Sequence, residues 1–113
     1  MQYLLLIYEN EANRQNIDRA KMGEEYGKFT KSTIESGNFK GGDALQPTTT
    51  ATTVRLKDGK PVTTHGPFAE TREALIGYYA IEAKDLDQAL AIAARVPSAK
   101  VGAIEVRPVV VYN

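Results

Sequence analysis

The sequence predicts an α+β fold in which two helices cover one face of a sheet. Three observations lead there: an apolar first strand, two stretches of helical periodicity that are each followed by a β-prone segment, and a strong hairpin turn in mid-chain. At 113 residues with 42% hydrophobic content, the chain is expected to form one domain over residues 1–113.

Each element can be argued in order. Tyr3–Tyr8 reads YLLLIY, apolar on both alternating faces, so this strand must be covered twice. Ala20–Ser36 carries Met22, Tyr26, Phe29 and Thr33 at helical intervals, with Asp18 or Asn16 as its cap and Gly37 as its stop. Tyr26 and Phe29 are expected in the core. Phe39–Leu45 is a short strand containing glycine. Five of the six residues from Thr48 to Thr53 are threonine, which favours extended backbone and reads as strand. Thr52–Lys57 and Pro61–His65 form a hairpin around Asp58-Gly59, either a projecting arm or an added sheet edge. Gly77–Ala83 is the next strand. Asp85 with Gln88 then caps a helix bearing Leu86, Ala89, Leu90 and Ala93 on one face, which Pro97 ends. Ala103–Val111 closes the chain as a strand. The order β, α, β, hairpin, β, α, β is a split βαβ arrangement of the ferredoxin-like kind with an inserted hairpin. Both helices cover the same sheet face, and the other face, with half of YLLLIY on it, calls for a second copy of the chain.

The totals exclude several function classes. Lys plus Arg equals Asp plus Glu at 14 each, so no net field steers the protein to nucleic acid or an anionic membrane. No cysteine is present, which removes disulfides, thiolate metal sites and cysteine nucleophiles. The apolar runs, Leu4–Ile7 and Ala89–Ala94 among them, are far short of the roughly 18 residues of a membrane span. A cytoplasmic protein without a cofactor or metal is the expectation.

The stretch HGPFAETREALIGYYAIEA from His65, followed by DLDQALAIAARVP and IEVRPV, resembles the DGPF-motif subgroup of the YciI-like family, whose motif reads DGPFAETKE before a glycine-tyrosine strand. YLLLIYENE and ATTVRLKDGKPV match as well, so the resemblance covers nearly the whole chain. It implies a dimeric α/β-barrel built from two ferredoxin-like protomers. It also implies a regulatory or stress-linked setting, because genes of this subgroup often lie beside those for extracytoplasmic-function sigma factors. Two departures stand out. His65 replaces the motif's leading Asp, and the histidine-aspartate pair proposed as catalytic in the broader family has no counterpart, because His65 is the single histidine.

His65 is the sharpest catalytic candidate, since imidazole titrates near neutrality and Glu70 and Glu73 could orient it as a general acid or base. The plainer reading is a strand-end histidine bonded to backbone. Gly66, Pro67 and Phe68 shape the corner, with Phe68 anchoring it in the core. Glu70 and Glu73, three apart on one helical turn, share a face and could instead pair with Arg72 or Arg107. If Ile81, Ile104 and Val106 face the helices, then Tyr78, Glu82, Glu105 and Arg107 face away from them. That set is expected either to bind a small molecule in a cleft at the dimer interface or to form a satisfied interface network. Two functions follow: a small-molecule site with weak acid-base catalysis, or a non-catalytic interaction module linked to a sigma factor.

Overall fold

The computed structural model describes residues 1–112. Eight regular elements follow the expected order: β1 (Gln2–Glu9), α1 (Arg19–Glu35), β2 (Phe39–Ala44), β3 (Thr52–Lys57), β4 (Lys60–His65), β5 (Ala74–Glu82), α2 (Leu86–Ala93) and β6 (Ala103–Pro108). Three short 3-10 turns punctuate them at Glu11–Asn16, Thr48–Thr50 and Pro97–Lys100. The main sheet runs β2-β5-β1-β6 with every neighbour antiparallel. This is the ferredoxin-like strand order, with the two β-prone segments that follow the helices at the sheet edges.

Alternation along β1 decides the layers. Tyr3, Leu5, Ile7 and Glu9 are buried while Leu4, Leu6 and Tyr8 are only half covered. The buried set joins Ile81 and Ala83 of β5, Phe29 of α1, Ala89, Ile92 and Ala93 of α2, and Val96 in one core. Both helices therefore pack on the same face. Their starts are capped as short polar side chains should cap them: Asp18 accepts from the Lys21 amide at 3.1 Å and Asp85 from the Gln88 amide at 2.9 Å. Of the two proposed caps for α1 it is Asp18 that serves, and Asn10 caps the preceding 3-10 turn instead.

The hairpin β3–β4 is a separate two-stranded sheet, hence an arm and not an added edge. Asp58 (φ 52°) and Gly59 (φ 76°) both take the left-handed region, as a two-residue hairpin turn of the primed type requires.

Four expectations need correction. Thr48–Thr50 is a 3-10 turn and not strand, because the Thr50 hydroxyl donates to the Pro47 carbonyl at 2.7 Å and Thr48 is held by Glu11. β5 starts three residues earlier than Gly77, since a bulge opposite Ile7 and Tyr8 lets Ala74 and Leu75 keep pairing with β1. β6 ends at Pro108: β1 begins at Gln2, and after the Val109 amide donates to the Gln2 carbonyl there is no strand left to pair with. Phe68 is 78% exposed and anchors nothing, while residues 66–73 hold no helical turn, so Glu70 and Glu73 share no helix face. One isolated turn without packing cannot offset its nucleation cost.

Candidate functional site

The sequence-selected residues fall into two separate places. His65 ends β4 opposite Thr52, exposed on the arm, and by strand alternation it shares a face with Val54 and Leu56. Glu70 and Glu73 lie exposed in the irregular segment beyond it. Among the described residues no ion pair joins either carboxylate to His65, Arg72 or Arg107.

Tyr78, Glu82, Glu105 and Arg107 do share the sheet face away from the helices. Register places Tyr78 and Glu105 on either side of Leu6, and Arg107 beside Leu4. The Tyr78 hydroxyl donates to Asp43 Oδ2 at 2.7 Å, and the Tyr8 hydroxyl to Glu105 Oε1 at 3.2 Å. The bond to Asp43 raises the Tyr78 phenol, and burial followed by the bond to Glu105 raises that of Tyr8. Glu82, at the edge of this face, pairs with the chain's own amino terminus, which lowers its carboxyl. These side chains flank an apolar strip of Leu4, Leu6 and Ala80.

The cavity lies on the opposite side of the sheet. The first half of α1 stands off β1 and β5, and the 3-10 turn Glu11–Asn16 closes the end, leaving about 370 Å³. Ile7, Met22, Tyr26, Phe39, Ile76 and Tyr79 supply most of the wall. The space arises because α1 buries only Phe29 and Thr33, both in its second half. At Gly23, which also lines the cavity, an added Cβ would meet nothing within 4 Å.

The wall also carries the charged residues Glu9, Arg14, Arg19 and Asp43, and several of its hydroxyls bond to other groups in it. The hydroxyls of Thr30 and Tyr79 are 2.7 Å apart, and Tyr79 is wedged edge-on against Phe29 and Phe39. Glu9, the last residue of β1, lines the cavity while only 4% exposed, and accepts a hydrogen bond from the fully buried Ser98 hydroxyl. Ser98 is in turn 2.6 Å from the Tyr26 hydroxyl. Burial above all, with the Glu9 charge adding to it, raises the Tyr26 phenol. Glu9 escaped the sequence reading because the strand was ended at Tyr8. The signal was present: Glu9 has the parity of Tyr3, Leu5 and Ile7, so a carboxylate continues a buried face.

The arm is tied to this region. Glu11, in the turn that closes the cavity, accepts from the Thr48 amide at 3.0 Å and from the Thr48 hydroxyl, bonds that lower its carboxyl. Among the described residues no group of three or more histidine, aspartate or glutamate side chains is placed to hold a metal ion, and no helix is long and apolar enough to cross a membrane.

Comparison with known proteins adds two findings. The model of the YCII-related domain matches residues 1–113. An uncharacterized protein of Rhizobium meliloti (strain 1021) is 33% identical over 120 residues, an alignment that covers 100% of this chain and 95% of that protein.

Proposed function

The chain belongs to the YCII-related domain family, and from that premise we propose that it binds a small molecule in the cavity beneath α1. The cavity itself carries this reading: at about 370 Å³ it falls in the size range of ligand pockets, and its largely apolar wall also carries polar and charged groups. His65 and Glu70 are exposed and neither lines this cavity, so the reading is one of binding and not of acid-base turnover by these two residues.

The test is a methyl-resolved NMR screen of small apolar compounds. Shifts should cluster on the methyls of Ile7, Met22, Leu45 and Ile76, with Leu86 and Val101 unmoved. Clustering on Leu4 and Leu6 instead would overturn the cavity and return the site to the sheet face that Tyr78, Glu82, Glu105 and Arg107 line.

We further propose that this open face is covered by a second copy of the chain. A monomer of 12.4 kDa should expose roughly 6,100 Å²; this one exposes 7990 Å². The excess, about 1,900 Å² per protomer, is of the size that permanent dimer interfaces remove from water.

A further inference from the structure

Glu9 is a carboxylate with half its hydrogen-bonding capacity unspent. Its Oε2 takes the proton of Ser98, and because a serine hydroxyl has one proton to give, Tyr26 must be the donor in the contact between Tyr26 and Ser98. The chain of donation therefore runs from Tyr26 to Ser98 to Glu9. It ends on a carboxylate whose Oε1 has no hydrogen-bond partner among the described residues. Yet no buried side-chain oxygen is left unsatisfied among the described residues, so Oε1 is not sealed in. Glu9 is 4% exposed and lines the cavity. Arg14 and Arg19 line the same cavity, but neither comes within ion-pair distance of Glu9.

A carboxylate that is 4% exposed, with one oxygen bonded only to Ser98, is stabilised further by a cation or a strong donor on its other oxygen. We propose that Glu9 is the recognition group of the cavity and that its ligand carries an ammonium or amidinium nitrogen, with an apolar body lying against Ile7, Met22 and Ile76. The proposal rests on the cavity being the ligand site. Ser98 and Tyr26 act through Glu9: they hold the carboxylate in one orientation and occupy the oxygen that faces away from the ligand. With both hydroxyl protons directed along the chain toward Glu9, the Tyr26 oxygen offers lone pairs and no proton, which also selects for a donor.

Three one-ring probes of similar size separate the possibilities in the intact protein: benzylamine, benzyl alcohol and benzoate, titrated by methyl shifts. Benzylamine should bind about tenfold or more tightly than benzyl alcohol, the size of a charge-assisted hydrogen bond, and benzoate most weakly. In Glu9→Gln, whose amide still accepts from Ser98, the amine's advantage should fall below about threefold while benzyl alcohol binds as before. Equal binding of amine and alcohol to the wild type, or an advantage that survives Glu9→Gln, would overturn the assignment and leave the cavity intact. Failure of all three probes would remove the cavity reading, and this proposal with it. Should Glu9→Gln not fold, the ranking of the three probes on the wild type decides.

Discussion

At the scale of single residues, the most constrained positions lie where β1 meets both helices. Leu5 is fully buried at the centre of the sheet, between Tyr79 and Val106 and against the helical layer. Leu5→Ala should cost about 2–5 kcal/mol, read as a lower denaturation midpoint with an unchanged slope, since a cavity in so tight a core cannot collapse. Ser98→Ala tests the polar centre. It leaves the Glu9 carboxylate and the Tyr26 hydroxyl without their shared partner, and should destabilise by about 1–3 kcal/mol. Removal of a serine hydroxyl that held no buried partner would cost far less, so a near-neutral result would mean that Ser98 is filler. Gly102 is constrained by backbone: a Cβ there would lie 2.0 Å from the Tyr8 carbonyl, where β6 begins beside β1.

At the scale of elements, the arm is the part whose stability separates from the rest. β3 and β4 pair only with each other, and their faces expose Val54, Leu56 and Val62. Gly59→Val puts a β-branched side chain at φ 76° and should loosen the arm by about a kcal/mol or more, with faster amide exchange in β3 and β4 and none in α1 or α2. The arm's base answers to pH. Thr48 holds the folded-state value of Glu11 below that of the free carboxyl, so the stabilisation is present above the ordinary glutamate range and is lost as pH falls through the lowered value. The Thr48 amide resonance should therefore move in an acid titration below about pH 4.5, and Glu11→Ala should abolish that movement. A Thr48 signal indifferent to acid would remove the tether between the arm and the turn that closes the cavity.

At the scale of the whole molecule, shape leads to assembly. The protomer measures 47 × 45 × 18 Å with a radius of gyration of 16.0 Å, against about 13 Å for an ordinary chain of this length. In a plate one sheet and one helix layer thick, Leu4, Leu6 and Tyr8 are left only half covered and Leu75 exposed. Light scattering at micromolar concentration should give about twice 12.4 kDa, and Leu6→Glu, which sets a charge in the middle of the strip, should give the monomer mass with folded far-UV signal. A wild-type monomer that forms a stoichiometric complex with an extracytoplasmic-function sigma factor would reassign the face to that partner.

The sequence by itself determined the elements, their order and the two-layer arrangement, because each rests on local or periodic signals. The parity of YLLLIY, the Asp18 and Asp85 caps and the Asp58-Gly59 turn all act within a few residues of themselves. The open-face grouping of Tyr78, Glu105 and Arg107 was legible for the same reason, since strand alternation is a local rule. Tertiary structure alone decided where the cavity lies. That depended on α1 resting on the sheet through Phe29 and Thr33 and standing off elsewhere, a matter of helix placement that periodicity does not record. It also decided that Glu9, Ser98 and Tyr26 meet, residues from a strand, a 3-10 turn and a helix that are up to 89 positions apart. And it left His65, Glu70 and Glu73, neighbours in sequence on the exposed arm and the irregular segment after it, without an ion pair among the described residues. Proximity along the chain fixes only what local backbone geometry can carry, whereas a buried polar cluster is assembled by packing.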